Sequence, residues 1–189
     1  MIWALPVLAA VVFHEVAHGL GIKNTITGKG TVRDALKEKY SSFEEAKADI
    51  LGLFMVTKLI ETGELQDVTM EEAFTTYMAG LIRSVRFGAA SAHGKANMMC
   101  FNFFAGNGAF VRDADGMYKV DFDKFRLAMN DWARKVLVFE GDGDYDGASA
   151  WLEENGKILP DLQADLDRIS QSNIPVDIVY DQGIKALGL

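Results

Sequence analysis

The segment that most constrains this chain is His14-Glu15-Val16-Ala17-His18, which lies within an apolar stretch. In an α-helix His14 and His18 lie one turn apart on the same face, so both imidazoles can bind one zinc ion at about 2.0–2.1 Å. Glu15 lies about 100° further around the helix, where it can take a proton from a water on the metal. The segment therefore predicts zinc ligands at His14 and His18 and a general base at Glu15.

A chance match to this short motif is the first alternative, because a single histidine on an apolar face is usually a core residue. The chain has only three histidines, however, and two of them flank Glu15 at the required spacing. Burying two imidazoles and a carboxylate beside Val11, Val12 and Phe13 costs several kcal/mol unless a cation compensates. We therefore expect a bound metal.

The composition is typical of an ordinary globular domain. With 189 residues, 49% of them hydrophobic and 24% charged, the chain can form one domain with a sizeable core, or one lobe of a larger protein. The net charge of −8, without a basic cluster, argues against nucleic-acid binding. The single cysteine, Cys100, lies in an apolar run that predicts a buried, inert thiol. It also fits a reducing compartment, so we expect a cytoplasmic protein.

The first thirteen residues carry no charge, as in a signal peptide or a membrane anchor. They lack a basic leading segment, are too short to span a bilayer, and run directly into His14 and Glu15. We expect them instead to be the buried first half of a helix, with no membrane association. Parts of a larger protein would then pack against Ile2, Trp3 and Leu5.

Hydrophobic periodicity and capping residues predict a mainly α fold with little β structure. Helices are predicted near residues 5–20, 32–39, 41–62, 69–87, 89–104, 123–139, 151–156 and 160–170. A glycine-rich loop is expected after residue 104, and a single strand at 175–180. The run 50–56 is apolar almost all round, which marks a central, buried helix. Four residues share one face of the 123–139 helix: Phe125, Met129, Trp132 and Val136.

A catalytic zinc needs three protein ligands, and the motif supplies two of them. The residues alone leave more than one candidate for the third. Asn24 stands where metzincins place their third histidine, but a neutral amide oxygen is a poor zinc ligand. The other candidates lie in the segment Glu44-Glu45-Ala46-Lys47-Ala48-Asp49. Its two glutamates also follow Ser41 and Ser42 at capping-box spacing, so helix capping competes with metal binding.

Asp49 favours the metal interpretation of this segment. It lies one turn after Glu45, in the apolar part of the predicted helix, where an unpaired carboxylate is costly. Accepting the free N–H of a ligand imidazole would account for its position.

The segments described so far resemble those of the dipeptidyl-peptidase III family. The resemblance rests on residues 14–18 followed by Gly19 and Gly21, on residues 44–49, and on Ala92-His93 ahead of an apolar helix. The better-known members have six residues from one histidine to the other, whereas this chain has five. They are also much longer and have two lobes, so this chain resembles the catalytic lobe alone.

The resemblance implies a zincin-like lobe in which Glu45 is the third zinc ligand. It also implies that Glu44 and Asp49 hold the two histidines and that His93 helps to stabilise the oxyanion. The implied reaction is zinc-dependent release of dipeptides from the N-terminus of short peptides, with residues 1–189 as a single catalytic domain. Without the resemblance, His93 would be interpreted as an exposed histidine at a helix N-terminus.

Two other functions are compatible with the same residues. The first is a helical module that binds zinc but catalyses nothing, because the substrate-binding lobe is missing. The second is an endopeptidase of another zincin class, with a different third ligand.

One further motif suggests a different metal. Residues 142–147, with Glu153 at the twelfth position, match the calcium-loop pattern of EF-hands. Ser149 at the eighth position and the lack of a second, pairing loop argue against calcium. We expect an acidic, glycine-rich surface turn here.

Overall fold

Helices make up most of the computed structural model, which describes residues 4–177, 183–184 and 188. The α-helices are α1 (Ala4–His18), α2 (Val32–Leu36), α3 (Tyr40–Glu61), α4 (Met70–Val85), α5 (Ala92–Gly106), α6 (Phe122–Asp142), α7 (Tyr145–Asn155) and α8 (Pro160–Gln171). A turn of 3-10 helix, Lys37–Lys39, joins α2 to α3, and two short antiparallel strands, β1 (Phe110–Arg112) and β2 (Tyr118–Val120), follow α5. The predicted mainly α fold is confirmed.

The chain forms two compact units, residues 1–158 and residues 159–189. The first contains α1 to α7 and both strands, and the second contains α8. Every residue that the sequence predicts for the zinc site lies in the first unit.

Helix α3 is the central helix of the first unit. It contacts α1, α4, α5 and α6, and its residues Phe43, Ile50 and Val56 are at most 3% exposed. The central, buried helix predicted from the apolar run 50–56 is therefore confirmed.

Helices α1 and α3 approach each other most closely at Gly52. A Cβ atom on Gly52 would lie 2.9 Å from the backbone nitrogen of His14 and 3.0 Å from the carbonyl carbon of Phe13. Because these neighbours are backbone atoms of a helix, they cannot move aside for a side chain. Glycine at this position lets the helix that carries the two histidines lie directly against the helix that carries the glutamates.

Aromatic side chains fill the core among α4, α5 and α6. The ring centroid of Phe125 lies 4.7 Å from that of Phe74 and 4.6 Å from that of Phe104. Phe103 lies 5.3 Å from Trp132. The four residues predicted to share one face of α6 are all buried. This packing holds α5, whose second residue is His93, against α4 and α6.

The starts of α3 and α4 differ in a way that bears on the site. At α4, Thr69 and Glu72 form a capping box. Helix α3 begins at Tyr40, ahead of both serines, and no side chain caps it. Capping by Ser41 and Ser42 is therefore wrong, because the helix begins early enough to place both glutamates inside it.

Helix α7 begins well before the predicted start at residue 151. Asp144 accepts a hydrogen bond from the Gly147 amide and so caps the helix, which starts at Tyr145. The calcium-like pattern 142–153 is thus divided between the end of α6 and most of α7. Helical backbone cannot wrap around an ion as a twelve-residue loop does, so the pattern does not form a calcium loop here.

The strands also differ from the prediction. The β1–β2 hairpin lies where only a loop was expected, because three-residue strands are too short to show an alternating pattern. In the predicted strand 175–180, residues 175–177 have no strand structure, and residues 178–180 lie outside the described part of the chain.

One face of α1 is apolar and exposed. The exposed fractions are 57% for Leu8, 56% for Val11, 46% for Val12 and 50% for Val16. The expectation that the first half of this helix is buried is therefore wrong for one face of it, whereas Pro6 and Ala9 are buried. Ile2 and Trp3 lie outside the described residues. Among the described residues, no helix combines the length and the hydropathy needed to cross a bilayer.

Candidate metal centre

The two histidines of α1 face the same point and are oriented by carboxylates of α3. His14 Nδ1 lies 2.7 Å from Asp49 Oδ1, and His18 Nδ1 lies 3.0 Å from Glu44 Oε1. An ionised carboxylate only accepts hydrogen bonds, so each Nδ1 carries the proton. In the neutral ring this leaves the lone pair on Nε2, and the two Nε2 atoms lie 3.1 Å apart.

Glu45 brings a carboxylate oxygen to the same point. Its Oε2 atom lies 3.4 Å from His14 Nε2 and 3.7 Å from His18 Nε2. The atom is buried and accepts no hydrogen bond of normal geometry. A buried carboxylate oxygen without a donor is costly, and it lies here beside two nitrogen lone pairs. A cation bound among these three electron-rich atoms would offset their mutual repulsion.

The distances among these three atoms agree with tetrahedral zinc. Two donors that each lie about 2.1 Å from one ion at the tetrahedral angle are about 3.4 Å apart. The observed distances are 3.1, 3.4 and 3.7 Å. Two imidazoles and one carboxylate are also a donor set that catalytic zinc uses in other proteins. The described residues therefore fit a zinc ion.

His93 approaches the same carboxylate from the first turn of α5. Its Nε2 lies 3.1 Å from Glu45 Oε2, and its ring stacks on that of His14 with centroids 6.2 Å apart. Ligand atoms of His14, Glu45 and His93 all lie within 4.8 Å of one another, so these three residues form a second possible donor set. Of the two candidates for the second histidine ligand we favour His18 over His93. Glu44 orients His18, whereas the His93 side chain is 63% exposed.

Hydrogen bonding and burial have opposite effects on the pKa values in this cluster. The hydrogen bond to Asp49 raises the pKa of His14, although burial lowers it. Burial alone would raise the pKa of Glu44, but hydrogen bonds from His18, Lys47 and Tyr40 lower it on balance. These bonds favour an ionised Glu44 carboxylate next to the imidazole that it holds.

Lys47 and Tyr40 are site residues that the sequence analysis missed. Lys47 Nζ lies 2.9 Å from Glu44 Oε1, and the Tyr40 hydroxyl donates to Glu44 Oε2 at 3.1 Å. A lysine one helical turn after a glutamate, on a helix predicted to be buried, was the available signal for the first of these.

Glu15 lies on the exposed face of α1, outside the cluster of converging ligand atoms. Its charge is close enough to His14 to contribute to the raised pKa of that imidazole. The Glu15 carboxylate thus faces solvent, whereas the Glu45 side chain is only 17% exposed.

The remaining candidates lie elsewhere. Asn24 pairs through its backbone with Thr31 in an isolated bridge of the loop after α1. Cys100 is buried, as predicted, and burial raises the pKa of its thiol far above the usual range. Its Sγ atom lies 3.3 Å from the Tyr77 hydroxyl.

Two solved structures resemble this fold closely. Dipeptidyl-peptidase III from Caldithrix abyssi superposes with a TM-score of 0.86 at 35% identity, covering 92% of this chain and 33% of that protein. The enzyme from Corallococcus sp. strain EGB gives a TM-score of 0.85 at 36% identity, covering 90% of this chain and 32% of its own. The chain has a dipeptidyl-peptidase III fold. It spans about a third of the length of these dipeptidyl-peptidase III structures.

Sequence comparison adds a relative with a different name. A protein of Arabidopsis thaliana named Nudix hydrolase 3 is 38% identical over 169 residues, which is 87% of this chain and 22% of that protein. Its name describes a protein of which this dipeptidyl-peptidase III-like chain matches a minor part. No family model matches the chain.

Proposed function

We propose that this chain is the catalytic lobe of a zinc peptidase that releases dipeptides from the N-terminus of short peptides. The similarity to two dipeptidyl-peptidase III structures supports a peptidase-type function. The observation that carries the proposal is the convergence of His14 Nε2, His18 Nε2 and Glu45 Oε2, with both Nδ1 atoms held by carboxylates. In the proposed enzyme these three residues hold the zinc.

The proposed chemistry assigns separate tasks to the base and to the histidine of α5. Zinc, when bound, polarises the scissile carbonyl and lowers the pKa of a water molecule towards about 7. Glu15 accepts the proton from the attacking water and passes it to the leaving amine. His93 donates a hydrogen bond to the oxyanion, a kind of contact that contributes about 3–4 kcal/mol in other enzymes.

The carboxylates of α3 orient the ligands in this proposal. Asp49 and Glu44 accept hydrogen bonds from Nδ1 of His14 and His18, so that both imidazoles present Nε2 to the metal. Neither carboxylate touches the substrate.

The substrate's N-terminus has no assigned binding group on this chain. We propose that a second lobe supplies it, in agreement with the chain spanning about a third of the similar structures. Residues 1–189 then act as one catalytic domain, and the enzyme works in the cytoplasm, where the buried Cys100 stays a free thiol.

The test combines metal analysis with a dipeptide-release assay on the purified chain, alone and joined to the rest of its natural protein. We expect one zinc per chain. Glu15→Gln should keep that zinc and lose at least 99% of turnover, because the amide cannot accept a proton. Glu154→Gln, an exposed change on α7, is the matched control and should leave both values unchanged.

Other outcomes would favour one of the two alternative functions or overturn the proposal. Zinc at full occupancy without dipeptide release in either form would favour the non-catalytic zinc module. Cleavage of internal bonds would favour an endopeptidase. A purified chain that holds no zinc would overturn the proposal.

A further inference from the structure

Lys47 is a buried lysine that the proposed reaction does not use. It is 3% exposed, on the side of α3 near the end of α1. A buried ammonium group is stable only when it is paired and hydrogen-bonded, so its partners indicate its role. Those partners are the Glu44 carboxylate, at 2.9 Å, and the backbone carbonyl of Leu20, at 2.8 Å.

Both partners of Lys47 lead to His18. Glu44 Oε1, which Lys47 contacts, is the same oxygen that accepts the hydrogen bond from His18 Nδ1. Leu20 follows His18 by two residues, just beyond the end of α1. The lysine therefore ties together the imidazole's hydrogen-bond acceptor and the backbone that follows the imidazole.

The space around the lysine is closely built. A Cβ atom on Gly21, which has a φ of +86°, would lie 3.2 Å from Lys47 Cδ. Glu140 of α6 is 1% exposed and interacts electrostatically with the lysine. The side chain thus has little freedom to leave Glu44.

We propose that Lys47 is a positioning residue for the zinc site: it fixes the Glu44 carboxylate so that His18 keeps its Nε2 atom directed at the metal. The inference rests on the proposed zinc function. Without the lysine, Glu44 keeps only the Tyr40 hydroxyl as a second donor and can turn away from the imidazole.

The test compares Lys47→Met with Lys58→Met. Both lysines lie on α3 and pair with a glutamate three residues away. Lys58, however, is 53% exposed and pairs with Glu61, which does not contact the histidines. The measurements are the rate of zinc loss to a chelator and the NMR signals of the imidazole nitrogens and of the protons bound to them. Residues that support zinc ligands typically change metal affinity by about 10–100-fold.

We expect Lys47→Met to speed zinc loss about tenfold and to weaken the signal of the His18 Nδ1 proton. Lys58→Met should change neither, and Lys47→Arg should restore most of the wild-type rate. On a Glu44→Ala background, Lys47→Met should have no further effect on zinc loss, because the lysine acts through that carboxylate.

The outcomes separate this inference from the function on which it rests. If the wild type holds zinc and Lys47→Met loses it at the wild-type rate, the inference is wrong and the zinc site stands. An equal effect with and without Glu44 would also overturn it. If the wild type holds no zinc, the proposed function fails. Should Lys47→Met not fold, Lys47→Gln takes its place in the same comparison.

Discussion

Helices α1 and α3 both carry residues of the proposed zinc site, but their surroundings differ. Helix α3 packs against α1, α4, α5 and α6, and its residues Phe43, Ile50 and Val56 are at most 3% exposed. Helix α1 packs on α3 with one face and leaves Leu8, Val11 and Val12 about half exposed. In the proposed enzyme the buried helix carries Glu45 and the two carboxylates that orient the histidines, and the more open helix carries the histidines and the proposed base, Glu15.

The largest effect expected from this comparison concerns stability. Phe43→Ala on α3 removes a fully buried ring and should lower the free energy of unfolding by about 3–5 kcal/mol. Leu8→Ala on the exposed face of α1 should change it by no more than about 0.5 kcal/mol. Denaturant unfolding of the two variants measures both values. Equal losses would show that the open face of α1 is covered in solution.

The next effect concerns the metal. Glu45→Ala should weaken zinc binding more than about 100-fold, because a direct ligand matters more than the groups that orient it. Glu64→Ala, an exposed change just after α3, is the control and should bind zinc as the wild type does. Competition with a chelator gives the affinities. Unchanged affinity in Glu45→Ala would assign the third ligand to another residue, such as His93.

A third prediction uses the carboxyl of α6 that lies near Lys47 on the buried side of α3. Burial raises the pKa of Glu140 from 4.5 to about 7, so the folded chain binds this proton more tightly than the unfolded chain does. The resulting stabilisation is complete below pH 4.5 and is lost as the pH rises through about 7.

Glu140→Gln removes this pH dependence. Between pH 5 and pH 8 the free energy of unfolding of the wild type should fall by about 2–3 kcal/mol more than that of the variant. Unfolding curves at the two pH values test this, with Glu154→Gln as the control. Parallel curves for wild type and Glu140→Gln would contradict it.

The smallest expected effect concerns the contact between the two helices. Gly52→Ala places a methyl group 2.9 Å from the His14 backbone, and such overpacking costs about 1–3 kcal/mol. Alanine's higher helix propensity returns up to about 1 kcal/mol, so the net loss should be about 1–2 kcal/mol, with weaker zinc binding. In α4, Gly80→Ala meets open space and should stabilise the chain by up to about 1 kcal/mol. A stabilised Gly52→Ala variant would show that the helices are further apart.

The sequence predicted those features whose causes are local. The long helices follow from periodicity and capping, and the facing of His14 and His18 follows from one helical turn. The start of α7 was missed because an Asp- and Gly-rich segment has the composition of a loop whether it folds as a loop or as a helix. The exposure of the outer face of α1 could not be predicted, since an apolar face looks the same in sequence whether or not it is covered.

Tertiary packing accounts for the other differences. Lys47 was overlooked because its importance depends on the Leu20 carbonyl, which the fold brings from the loop after α1 to the Lys47–Glu44 pair of α3. The position of Asp49 in an apolar stretch already suggested that it holds a ligand imidazole, but the pairing of Glu44 with a histidine was inferred from the resemblance. Which carboxylate holds which histidine could not follow from spacing, because the residues are far apart in the sequence. Capping by Ser41 and Ser42 was a local expectation, and an earlier helix start overrode it.

The close approach at Gly52 has a consequence for redesign of this centre. Because the contact is with main-chain atoms, the separation of α1 and α3 at this point is set by a missing methyl group and not by the side chains of the proposed zinc site. Exchanging the proposed ligand residues alone would therefore leave the distance between α1 and α3 unchanged. Residue 52 is the simplest position at which to widen the distance between the helices for a larger ion.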